Sequence, residues 1–389
     1  MMERKTAQGP LVGVKIVELA GIGPGPLCSA LLSDMGADIL RIDRPAPADI
    51  GGPRPPRADV ARRGRMSVSV DLKNPEGVET ILKLVEQADA ILDPFRPGVT
   101  ERLGLGPDAC LARNKAIIYG RMTGWGQDGP MSQIAGHDLN YLALTGMLNA
   151  IGPAERPVPP LNLVADMGGG AMFLAVGVLA GIIEARQSGE GQVVDAAMVE
   201  GAAYLGMGQF GVMAMGARVN RRAANVTDGG SHFYRCYETS DGKFVSIASI
   251  ERKFYANLLA KLNLDPADLP EQHDEASWPA MSKRFEEIFR QKTREEWTEI
   301  MGDTDICYAP VLDFEEATQH PHNVARGSFV EIDGVKQPRP APHFSRTESA
   351  VQSAPPVVGA TTRDGLASWG FTDPDIDALE ASKAIGWQG

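Results

Sequence analysis

An α/β fold is expected, with a parallel-sheet unit leading and a smaller α+β unit following, and three features of the chain carry that expectation. Two strand–helix–strand patterns stand in tandem near the start. A hairpin signature beyond Asp228 marks a change of pattern. The length, 389 residues, exceeds the usual single domain of about 100 to 200 residues.

Val14 to Leu19 reads as a buried strand, Gly21-Ile22-Gly23-Pro24-Gly25-Pro26 as a turn, Leu27 to Met35 as a helix and Ala37 to Ile42 as a second strand. The second unit runs from a strand at Met66 to Val70 through a helix ending near Gln87, capped by Asn74 with Pro75 at its first position, to a strand at Ala90 to Leu92. Right-handed crossovers between parallel strands are then expected. Ala116 to Met122 adds a strand, and Met167 to Arg186 a long apolar helix of interior character. Phe233 to Thr239 and Lys243 to Ser249 are β-rich runs joined by Ser240-Asp241-Gly242, a hairpin. Arg252 to Leu262 and Trp278 to Met301 have helical periodicity, and prolines at 338–342 and 355–356 mark an extended, returning tail.

A formal charge of −12 argues against a non-specific binder of nucleic acid or anionic membrane, because neutralising phosphates needs a basic field. No unbroken apolar run reaches the roughly 18 residues of a membrane span, and no apolar region follows Arg4 and Lys5, so a cytoplasmic protein is expected. Cys28, Cys110, Cys236 and Cys307 lie far apart, in neither a zinc-ligand spacing nor a disulfide framework. Arg54, Arg57, Arg62, Arg63 and Arg65 form a local basic island beside a proline-rich stretch, suited to a small polyanion or to a solvated loop.

The glycine turn after the first strand falls short of a dinucleotide fingerprint, since proline at 26 removes both the glycine and an N–H donor. Arg44 closes the second strand, where ligands gather in doubly wound sheets, while Arg41 and Asp43 alternate onto one face and can form an ion pair. Arg96 and Arg102 follow another strand end and offer fork-shaped donors to phosphate. His137 beside Asp138 can move a proton near neutral pH, although a His-Asp pair at a helix start is also an N-cap pattern. Asp166 precedes Gly168, Gly169 and Gly170, and each glycine disfavours a helix by about 0.5–1 kcal/mol relative to alanine, so backbone or ligand must approach closely there. Asp166 can cap that helix or act as a base; Glu251 is locally a plain N-terminal acid.

Several blocks, in order, resemble the family III CoA-transferase and racemase superfamily: Val17 to Pro26, Leu40 to Pro45, Asp71 to Lys73, Arg96 to Gly104, Arg121 to Gln127, Gly136 to Tyr141 and Asp166 to Gly170. The resemblance implies a Rossmann-like large domain over 1–200 with a returning segment 340–389, a linker 201–227, a small α+β domain 228–330 and a second linker 331–339. It also implies an interlocked homodimer. Coenzyme A, as part of an acyl-CoA substrate, would be held by Arg44, by Val70, Asp71, Leu72 and Lys73, by Pro94, Phe95 and Arg96, by Arg102, and by Gly136, His137, Asp138, Leu139, Asn140 and Tyr141. His137 and Asp166 would be two bases, with Asp138 and Glu251 supporting His137. Such a pair would interconvert (R)- and (S)-2-methylacyl-CoA through an enolate, with no metal and no cofactor for the chemistry. The alternatives are a CoA-transferase with Asp166 as acyl-anhydride nucleophile, and a non-catalytic CoA-binding protein.

Overall fold

The computed structural model describes residues 6–46 and 55–386; Pro47, Pro53, Arg54 and the terminal residues 387–389 lie outside them. The chain divides into two compact units, one of Met1–Thr145, Leu161–Leu205 and Gly327–Gly389, the other of Gly146–Pro160 and Gly206–Arg326. Both stretches expected as linkers carry regular structure. The first holds most of the helices Met198–Leu205 and Met207–Ala214, and the second holds a strand, Val335–Pro338.

In the first unit the elements run β1 (Lys15–Leu19), α1 (Pro24–Asp34), β2 (Asp38–Asp43), β3 (Met66–Ser69), α2 (Pro75–Val85), β4 (Ala90–Asp93), α3 (Val99–Arg102), α4 (Pro107–Arg113), β5 (Ile118–Thr123), α5 (Asp138–Ala143) and, after a long helix, β6 (Gln192–Ala197). The six strands form one sheet in the order β3-β2-β1-β4-β5-β6, every neighbouring pair parallel. Buried on both faces, β1 to β5 contribute a core of Val17, Leu40, Val68, Ile91 and Tyr119. Helix α1 begins at Pro24 rather than at Leu27. Prolines 24 and 26 fall in its first turn, where an N–H has no partner within the helix to lose.

The tail returns to this unit. Leu366, Trp369 and Ile376 join its core, and the hydroxyls of Thr361 and Thr362 accept the N–H groups of Ser67 and Ser69 at 2.8 and 3.0 Å, closing the exposed edge of β3.

The long helix departs from expectation in two ways. It opens as ten residues of π-helix, Leu163–Met172, before turning regular over Phe173–Ser188. It is also only half interior: Leu174 and Val178 are buried on the sheet, whereas Val176 and Ile183 stand 66% and 61% exposed. By length and composition Leu163–Ser188 is long and apolar enough to cross a membrane, which a count of unbroken apolar residues missed because Asp166, Glu184 and Arg186 interrupt the run. In the fold one face of this helix covers the sheet, with Gly177 against Val194 and Gly181 against Ile118.

The second unit has an antiparallel sheet of β7 (Tyr234–Glu238), β8 (Phe244–Ala248) and β9 (Tyr308–Val311). The expected hairpin is β7–β8. The segment Trp278 to Met301 is two helices, Trp278–Phe289 and Arg294–Met301, because Thr293 forms a capping box with Glu296 and starts a new one. Phe233, Tyr237, Phe285, Phe289, Trp278 and Trp297 make an aromatic core.

Candidate active site

In a sheet of this order the crevice opens between β1 and β4, where the chain reverses its direction of winding, at the carboxyl ends of the strands. A cleft of about 320 Å³ lies there, lined by the turn after β1, the loop after β4, the end of β5, the segment before α5, and Asp166. The glycine turn is built for close packing. A Cβ on Gly21 would lie 2.7 Å from the Pro94 ring, and Gly23, at φ 69° and ψ −120°, takes a conformation open to few other residues. A Cβ on Gly23 would sit 3.4 Å from Asp166 Oδ2, so the N-terminus of α1 approaches that carboxyl directly.

His137 is the N-cap of α5: its backbone N–H donates to Asn140 Oδ1 at 3.0 Å, while its carbonyl accepts from the N–H groups of Asn140 and Tyr141. His137 is exposed and lines the cleft with Gly136, Tyr141 and Asp166. Tyr141 donates to the Gly136 carbonyl and meets Trp125 edge-on, which fixes the segment leading into the helix.

Asp138 does something other than the expected support of His137. Its Oδ2 accepts the N–H groups of Ala165 at 2.9 Å and Asp166 at 2.7 Å, and its buried Oδ1 has no hydrogen-bond partner. It therefore caps the π-helix and ties the backbone of Asp166 to α5. Burial first, and the Asp138 carboxylate besides, raise the pKa of Asp166, against the lowering effect of a hydrogen bond from Asn162 and of His137. The close approach that the three glycines signal is made by backbone: a Cβ on Gly201 would fall 1.9 Å from the Gly169 carbonyl oxygen.

Of the residues expected to hold coenzyme A, the cleft gathers Pro94, Phe95, Arg96, Gly136, His137 and Tyr141. Arg44 and Lys73 are exposed beyond the carboxyl ends of β2 and β3, and Arg102 is exposed at the end of α3. Val70 is core, its N–H donating to the Asp43 carbonyl; the Asp71 N–H donates to the Ala384 carbonyl; and Leu72 packs on the core. Leu139 and Asn140 face outward on α5. Glu251 is the N-cap of the helix Arg252–Lys261 in the second unit.

The arginine island is mostly internal. Arg62 pairs with Asp43 at 3.2 Å, Arg63 with Asp34 at 2.5 Å and Arg65 with Glu18 at 2.9 Å, each partly or wholly buried. Arg41 bonds Asp43, as expected, and Glu18 as well. Sequence reasoning missed the burial of Glu18 and Asp93, charged residues within the otherwise apolar strands β1 and β4, and took Arg65 for part of an external island. Among the described residues, no group of three or more His, Cys, Asp or Glu is placed to hold a metal.

A model of CoA-transferase family III matches residues 11–362. The chain is 44% identical to the alpha-methylacyl-CoA racemase of Mus musculus and 40% identical to that of Homo sapiens, in each case over 96% of this chain and 97% of the relative. The crystal structure of a CAIB/BAIF family protein from Brucella suis superposes with a TM-score of 0.80 at 24% identity, covering 93% of this chain and all of that one, a likeness of fold. With a matched model along most of its length and relatives of this identity, the chain belongs to CoA-transferase family III.

Proposed function

We propose that this protein interconverts (R)- and (S)-2-methylacyl-CoA thioesters by two-base proton transfer, with His137 and Asp166 as the bases. The observation that carries the reading is the Asp138 carboxylate, which joins the element bearing His137 to the backbone of Asp166, so that two proton-carrying groups share one cleft at the sheet's switch point. Inversion at the carbon next to a thioester carbonyl needs a proton removed from one face and returned to the other. One of the pair starts ionised or neutral as the acceptor, the other protonated as the donor, and turnover exchanges their states. The raised pKa of Asp166 suits a carboxyl that must spend half of each cycle protonated. Negative charge developing on the thioester oxygen would be stabilised by the N-terminus of α1, where the N–H groups of Gly23 and Gly25 have no partner within the helix.

Arg96 lines the same cleft, Arg44 follows β2 and Arg102 ends α3, cations suited to the nucleotide phosphates of coenzyme A. The protein would act as a homodimer, and the exposed apolar face of the long helix supports this reading.

The test is incubation with an (S)-2-methylacyl-CoA in deuterated water without any added carboxylic acid. Uptake of one deuterium at the α-carbon with loss of optical purity is expected. Turnover that depends strictly on an acceptor acid would mean CoA transfer through an Asp166 anhydride instead, and binding without exchange or transfer would mean a CoA-binding protein.

A further inference from the structure

We infer that Asp93, which lies beneath the cleft, is a positioning residue that sets the affinity for the acyl-CoA by holding the loop Pro94 to Pro97 in its binding shape. The inference rests on the reading of that loop as a wall of the coenzyme A site.

Asp93 is the last residue of β4, at the switch point, and its side chain is 3% exposed as a residue. No ion pair joins it to a cation among the described residues; three uncharged donors do the work instead. Oδ1 accepts the Phe95 N–H at 2.9 Å, and Oδ2 accepts the Thr100 hydroxyl at 2.8 Å and shares the Tyr119 hydroxyl, at 3.1 Å, with the Leu105 carbonyl at 2.9 Å. Burial raises the Asp93 pKa, and these hydrogen bonds, with Arg121 nearby, oppose the rise. A carboxylate so costly to bury, with an apolar residue of similar size as the simpler alternative, calls for a purpose in what it holds.

What it holds is specific. Phe95 is two residues on, so the first bond closes a side-chain turn over Pro94; Thr100 lies in α3, beyond Pro97 and Gly98. One carboxylate thus pins both ends of a five-residue loop whose Pro94, Phe95, Arg96 and Pro97 all line the cleft. Tyr119, from β5, ties the same oxygen to the neighbouring strand. On the far side the Pro94 ring packs closely against Gly21, which buttresses the loop from the neighbouring turn. Of the three partners of Asp93 only Phe95 lines the cleft, and its side chain carries no group able to move a proton. Loss of Asp93 should therefore cost binding and spare the chemistry, which is the pattern of an interaction made equally in ground and transition states.

The experiment compares Asp93→Asn, Thr100→Val and Thr100→Ser in the full-length protein, measuring kcat and KM with one (S)-2-methylacyl-CoA, Kd for coenzyme A by calorimetry, and the melting temperature. Asp93→Asn and Thr100→Val are expected to raise KM and Kd by about tenfold, the equivalent of one hydrogen bond to a charged group, with kcat within about twofold; Thr100→Ser, which keeps the hydroxyl, should match the parent. Combined with Arg96→Ala the effect of Asp93→Asn should be less than multiplicative, because both act through one loop, whereas with Arg44→Ala it should multiply. Unchanged KM and Kd with a lowered melting temperature, or independence from Arg96→Ala, would overturn the inference. If Arg96→Ala alone leaves KM and Kd unchanged, the loop is not a coenzyme A wall, and the inference falls together with that reading.

Discussion

At the scale of single residues, the site rests on how Asp138 is used. The side chain expected beside the imidazole of His137 instead caps the π-helix at Ala165 and Asp166. Two consequences follow. Replacing His137 or Asp166 with alanine should lower α-proton exchange by at least about 10²–10⁴-fold, the usual worth of a positioned proton-transfer group, while coenzyme A still binds; exchange at the parental rate in both variants would remove them from the mechanism. Asp138→Asn should move the acid limb of the pH profile. With Asp138 ionised, a negative charge beside Asp166 favours its protonated form and raises its pKa. Removing that charge lowers the pKa of Asp166, so in the direction in which Asp166 is the base the acid limb of kcat/KM should shift to lower pH, and a shift upward would contradict the assignment.

At the scale of elements, the decisive contact is between two backbones. Gly169 in the π-helix and Gly201 in the helix Met198–Leu205 face each other so closely that any side chain at 201 would meet the Gly169 carbonyl. Gly201→Ala is therefore expected to destabilise the first unit by about 1–3 kcal/mol and to impair activity through the displacement of Asp166, as read by chemical denaturation and by kcat. In the second unit the joint is polar. His232 is buried, its Nε2 sharing a hydrogen bond of 2.7 Å with the Tyr255 hydroxyl, and its Nδ1 is unpartnered. Burial, and then His273, push its pKa down to about 4 from 6.5. Between these values the unfolded chain binds the proton and the folded unit does not, so stability present above pH 6.5 is lost as the pH falls toward 4. Urea melts followed by tryptophan fluorescence should show that loss, and His232→Gln should flatten it; an equal slope in the variant would place the titration elsewhere.

For the whole molecule, the exposed face of the long helix is the feature that a single chain leaves unexplained. Val176 and Ile183 lie on it, and Tyr204 and Leu205 are exposed at the end of the helix Met198–Leu205. Apolar exposure of this extent marks a surface that meets a protein, a ligand or a membrane, and the proposed homodimer would cover it. Light scattering is expected to give twice the 41.6 kDa of one chain, and Val176→Asp with Ile183→Asp to give a single chain's mass; a monomeric parent would refute the homodimer.

Much of the architecture was legible because strands, caps and glycine turns are local matters. The apolar runs of β1 to β5, Pro75 after Asn74, and the hairpin at Asp241 and Gly242 each follow from the preferences of neighbouring residues. His137 and Asp166 could be singled out because few side chains move protons, whereas Pro94, Phe95, Gly136 and Tyr141 were named through the family resemblance. The direction in which the polar groups turn depends on partners far away in the chain. Asp138 meets backbone 28 positions on, Asp93 meets Tyr119 from the next strand, and Arg63 and Arg65 turn inward to Asp34 and Glu18 rather than outward to a ligand. Sequence alone determined which groups this protein possesses and which elements carry them. Only the tertiary structure decided what each buried charge faces, because a charge out of water must find its partner wherever the fold brings one.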